Sequence, residues 1–141
     1  NIVDHFDKYP SKKWLVNSYE HTKDYKTYFN HHRPSISENI IFCNRIGCPS
    51  CLTIHKSVKE RFDENLRWFM DGEYYYRLHK LYNNPIYLYS VKGKSNVITL
   101  IHNDQVTNEC HTNNQLINKE KTYINDKHYV STLNNSTAYM D

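Results

Sequence analysis

Apolar positions in this chain fall into short runs separated by polar turns, and the spacing within each run sets the element it predicts. Trp14-Leu15-Val16 is a brief continuous run and predicts a short strand. Over residues 19–32, Tyr25, Tyr28 and Phe29 recur near helical spacing. That predicts a helix stopped by Arg33-Pro34, because the residue before a proline is pushed out of helical geometry. Residues 40–44, Ile-Ile-Phe-Cys-Asn, predict a strand. Beyond Pro49, the residues Ile54, Val58, Phe62 and Leu66 recur every fourth position, a stripe that predicts an amphipathic helix. Trp68-Phe69-Met70 reads as a buried strand ended by Asp71-Gly72, and residues 73–82 as a shorter helix.

Two β-rich runs, residues 85–91 and 97–101, lie across a Lys92-Gly93-Lys94-Ser95-Asn96 turn and predict a hairpin. Pro85 is tolerated there as the first residue of its strand. Residues 105–125 are expected to contain a helix, residues 1–11 to form a polar arm, and residues 126–141 a loose tail. Strand, helix, strand, helix, hairpin is an α/β order with a mixed sheet. Neither an internal repeat nor a low-complexity linker interrupts it.

Composition narrows the function classes. At 141 residues the chain is read as one domain, able to bury a core without disulfide staples. The net charge of +3 is mild and its basic residues are scattered, so no nucleic-acid footprint is expected. No run approaches the roughly 18 apolar residues that a bilayer span requires. The sequence starts at Asn1 rather than Met, and Asn134 and Asn135 open two overlapping glycosylation sequons. Together these point to the secretory pathway or an extracellular setting.

Cysteines carry the sharpest chemical signal. Four of them, Cys43, Cys48, Cys51 and Cys110, are too few for a disulfide scaffold, yet three cluster. A strand, then Cys48-Pro49-Ser50-Cys51, then a helix is the order a thiol–disulfide site needs. The strand delivers the first sulfur to a sheet edge, and a helix N-terminus favours thiolate over thiol.

Through the 40–44 strand, the Cys-Pro-Ser-Cys motif, the helix it opens and Pro85 at the start of a hairpin strand, the chain resembles the thioredoxin superfamily. The resemblance covers residues 36–101. It implies an α/β, thioredoxin-like three-layer fold, with a central mixed sheet flanked by helices. It also implies thiol–disulfide exchange with protein thiols and disulfides, without a cofactor. Cys48 would be the exposed nucleophile and Cys51 the buried resolving thiol. Gly47 and Pro49 would shape the turn, and the Asn84 backbone beside Pro85 would bind substrate peptide. His55 would assist proton transfer. Phe42 stands where the family carries a buried acid, Gly47 where Trp is usual, and Asn84 where Thr, Val or Ile is common.

Other readings stay open. Cys43-x4-Cys48-x2-Cys51 with Cys110 has the spacing of a plant-type [2Fe–2S] site, and zinc held by Cys48, Cys51 and two of His55, Cys110 or His111 is a variant. A redox-inactive interaction module is the non-enzymatic alternative, with Tyr74-Tyr75-Tyr76 and Tyr82 as its contact patch. His31-His32 point to different sides of the expected helix and read as surface residues.

Overall fold

The computed structural model describes residues 1–103 and 105–130. The described residues form a mixed α/β structure, with four α-helices and two three-stranded sheets where a single central sheet was expected. Helix α1 spans Ile2–Lys8, where a polar arm was expected, and Asn1 caps it by accepting from the Val3 amide at 3.0 Å. Strands β1 (Trp14–Asn17) and β2 (Tyr19–Thr22) follow with only Ser18 between them. Each is the central strand of its own three-stranded sheet. All four residues of β1 are buried, as a continuous apolar run should be when both faces are covered.

The helix expected over residues 19–32 is instead a hairpin, β2 with β3 (Tyr28–His32). Its turn explains the miss. Thr22 Oγ1 accepts from the Asp24 and Tyr25 amides, and Asp24 Oδ1 accepts from the Lys26 and Thr27 amides. Side chains that capture local backbone amides in this way compete with helix formation and favour turns. Residues 85–101 supply two strands as expected, β5 (Ile86–Leu88) and β6 (Val97–Leu100), but they do not form a hairpin. β5 runs parallel to β1, and β6 runs parallel to β2. Buried Glu20 on β2 holds the intervening loop by accepting from the Gly93 amide at 2.8 Å.

The largest departures surround the cysteine motif. Residues 40–44 form turns rather than a strand, with the Asn39 carbonyl accepting from the Phe42 and Cys43 amides. Ile40 and Ile41 are both buried, which an alternating edge strand does not allow. The long helix expected after Pro49 is also absent. Pro49–Cys51 makes one 3-10 turn, and β4 (Leu52–Ile54) then pairs antiparallel with β1. Residues 55–69 are irregular. The fourfold spacing found Val58 and Leu66 in the core, while Ile54 and Phe62 stay exposed. Pairing with β1 overrode the local pattern.

Helix α2 (Met70–Tyr82) contains the expected 73–82 helix and absorbs the end of the expected 68–70 strand. It buries Tyr74, Tyr75 and Leu78 against Trp14, Val16, Ile40, Ile41 and Ile46. Gly72 is required for that approach, because a Cβ there would stand 2.5 Å from the Ile41 carbonyl oxygen. Helices α3 (Val106–His111) and α4 (Asn114–Asn125) fill the expected 105–125 region, and a π-helical turn over Asp126–Val130 begins what was expected as a tail. Both sequons lie outside the described residues. Among the described residues, no helix is long and apolar enough to cross a membrane.

Candidate active site

Asn44 builds the approach to the motif. Its Oδ1 accepts from the Ile46 and Gly47 amides, and its Nδ2 donates to the Gly47 carbonyl at 3.0 Å. Gly47 then adopts φ +110, and a Cβ there would stand 2.5 Å from Tyr19 Cε1. Only glycine meets both demands. Tyr75 locks the same point from below, donating its hydroxyl to the Gly47 carbonyl at 3.1 Å.

The 3-10 turn that follows brings the two sulfurs together without an α-helix, because side chains at i and i+3 eclipse in that geometry. Cys48 Sγ lies 4.0 Å from Cys51 Sγ and 3.9 Å from Thr99 Oγ1 on β6, and both thiols are free. The two are unequal. Cys48 is half-buried and Cys51 fully buried. The Cys51 thiol, as hydrogen-bond donor to the Cys48 thiolate, draws the Cys48 pKa down to about 5; burial opposes this, and Thr99 and Ser50 reinforce it. The same bond, with burial, pushes Cys51 far above the ordinary thiol range.

Cys48 also lines a cavity of about 590 Å³ between the 41–49 loop and the start of α2. Phe42, Arg67, Trp68, Phe69, Asp71 and Thr107 complete most of its wall. Asp71, in the first turn of α2, is a group that the sequence pattern does not single out, since Asp71-Gly72 reads there as the end of a strand. Its Oδ1 is buried without a hydrogen-bond partner. Burial, and then the nearby Cys48 charge, raise its pKa to about 6. The sequence carried no signal for it: Asp71 and Glu73 both fall between Trp68-Phe69-Met70 and Tyr74-Tyr75, and nothing there separates the two. Asp71 supplies a half-buried acid near the sulfurs, although Phe42 does not.

Buried Glu120 of α4 fixes this wall. Its carboxylate accepts from the amides of Arg67 (2.7 Å), Trp68 (3.0 Å) and Phe69 (3.0 Å), the donors that precede α2. Phe69, at the N-cap, offers no side-chain cap of its own, so a carboxylate from another helix performs that task.

The chain matches no family model, no curated protein and no solved structure. Function must therefore be read from the geometry.

Of the residues expected at the site, Gly47, Cys48, Pro49 and Cys51 come together. Pro85 does not join them. Strand register sets it level with Trp14 and Ile54, whereas Cys51 immediately precedes Leu52, at the Asn17 end. That separation is three residues along the strands, about 10 Å, and two strands across. The Asn84 carbonyl instead accepts from Lys12 Nζ at 2.8 Å. His55 lies beyond the far end of β4, with its Nδ1 2.8 Å from Ser57 Oγ. Cys43 is exposed and Cys110 buried, and no three metal-ligating side chains among the described residues come together. The four-cysteine iron–sulfur and zinc alternatives are not assembled. Of the expected tyrosine contact patch, Tyr74 and Tyr75 are core residues instead.

Proposed function

We propose that the cavity beside Asp71 binds a small polyhydroxylated molecule and that Asp71 acts as general base on one of its hydroxyls. One observation carries this reading: a half-buried carboxylate with one buried, unpartnered oxygen, on the wall of a cavity of about 590 Å³, and with its pKa raised to about 6. A cavity of that size lies in the range of small-molecule sites, and perturbed carboxyls concentrate at such sites. A base works best with its pKa near the working pH. A ligand hydroxyl would donate to the carboxylate from the cavity side, where Asp71 forms part of the wall, while Oδ1 stays buried behind it. The hydroxyl's O–H bond breaks as the proton passes to Asp71, which becomes a neutral carboxyl and leaves the oxygen as a nucleophile. Trp68, Phe69 and Phe42 offer flat apolar surface to the C–H faces of such a molecule, and Arg67 adds donors.

The test uses the Trp68 indole N–H resonance during titration with glucose, sucrose and glycerol, with fully buried Trp14 as internal reference. A saturable shift at Trp68 alone is expected at pH 7, weaker at pH 5 and lost in Asp71→Asn. A Trp68 signal that none of the three moves would overturn the reading.

The inequality of the two thiols favours a second reading, thiol–disulfide exchange with protein substrates. Cys48 would attack as thiolate, Cys51 would resolve the mixed disulfide, and Asp71 would take the Cys51 proton. The thioredoxin-superfamily resemblance and the secretory setting belong to this reading, the former now through the motif alone. Rapid iodoacetamide labelling of Cys48 above pH 5, with faster reduction of insulin by dithiothreitol, is its expected signature. Insulin reduction unchanged by the protein would contradict it.

A further inference from the structure

We propose that Cys48 and Cys51 form a redox switch on the Asp71 cavity, closed by a low-molecular-weight disulfide such as oxidised glutathione. The proposal rests on the cavity reading and adds its regulation. Three observations meet here. The sulfurs stand 4.0 Å apart across a 3-10 turn, so the rotation that joins them is small. Only Cys48 reaches the cavity, so reagent enters from that side while Cys51 waits behind it. Asp71 shares the same cavity wall.

The chemistry balances as an exchange. The Cys48 thiolate attacks one sulfur of the disulfide, whose S–S bond breaks and releases one thiolate. Cys51 then attacks the Cys48 sulfur, gives up its proton to the departing thiolate, and displaces the second thiol. Two protein thiols are oxidised and one disulfide is reduced to two thiols.

Closure changes the cavity in two ways. Cys51 is held in the core, so Cys48 does most of the moving, leaving Thr99 and altering the wall. The negative charge beside Asp71 is also removed. Of the groups that act on Asp71 or share its cavity, Tyr75 and Cys51 stay neutral and Arg67 is unchanged, so Cys48 is the variable one. Oxidation lets Asp71 ionise at lower pH and readies the base.

The experiment treats the whole chain with oxidised glutathione, counts free thiols by mass spectrometry, and follows the Asp71 carboxyl carbon by NMR against pH. Two thiols should be lost together and return with dithiothreitol, and the Asp71 midpoint should fall by about half a unit or more on oxidation. Cys51→Ser should stop at a mixed disulfide on Cys48. Cys48 and Cys51 thiols that survive treatment overturn the proposal, and so does a Cys48–Cys51 disulfide that leaves the Asp71 midpoint unmoved. Neither readout uses a polyol, so a cavity that fails to bind sugars would be recognised separately.

Discussion

Asp71 and Glu73 sit two residues apart in the first turn of α2, yet their surroundings drive them in opposite directions. Glu73 is wholly buried and held by basic side chains. Its Oε1 lies 2.8 Å from Arg77 Nε, 2.8 Å from Lys127 Nζ and 2.9 Å from His128 Nε2. Burial opposes its ionisation, but His128, Arg77 and Lys127 prevail and lower its pKa to about 2. Asp71 faces the same helix dipole with an unpartnered oxygen and moves up to about 6. Glu73 is a structural ion that ties α2 to the segment after α4. Asp71 is a charge that the fold leaves unmatched, which is the condition of a group kept for a ligand.

Removing the structural member should cost most. Glu73→Ala leaves Arg77 and Lys127 without their shared carboxylate, and about 3 kcal/mol of stability at pH 7 should be lost in urea unfolding. The pH dependence has a definite sign. A carboxyl lowered from 4.5 contributes its stability above the unfolded value and loses it as pH falls toward 2. The gap between wild type and variant should therefore narrow below pH 4.

Glu120→Ala sharpens the contrast from the other helix. Three amides ahead of α2 lose their acceptor, at a cost of about 2–3 kcal/mol. Because those amides belong to the cavity wall, the Trp68 indole resonance should shift even where the chain remains folded.

Asp71→Asn should act in the reverse sense and by less. A carboxyl raised from 3.8 to about 6 favours the fold in its neutral form, and that contribution is lost as pH rises through 6. Above pH 6 the variant should be more stable than wild type by about 1–3 kcal/mol. At pH 3.5 the two should unfold alike. A destabilised variant at pH 8 would mean that Asp71 has a partner in solution.

Much of this contrast was hidden in the sequence for physical reasons. Strand β1 was legible because Trp14-Leu15-Val16 is a fully buried centre, and most of α2 was legible as the expected 73–82 helix. The turns over residues 40–44 were not legible. They are closed locally by the Asn39 carbonyl and held by Gly72 backing onto Ile40 and Ile41, a contact between segments far apart in the chain. The Cys48–Cys51 proximity was correct but for a different cause, a 3-10 turn before a strand. Asp71 was invisible as a site because its raised pKa depends on burial and on Cys48, twenty-three positions away, rather than on its neighbours in sequence.

The most direct measurement is a carboxyl-carbon NMR titration of the reduced wild-type chain, with Asp71 and Glu73 assigned through their Asn and Gln variants. The Asp71 midpoint should lie near pH 6 and that of Glu73 near pH 2. An Asp71 midpoint at the ordinary aspartate value, about 4, would mean a solvated or partnered carboxylate and would remove the basis for a general base in this cavity.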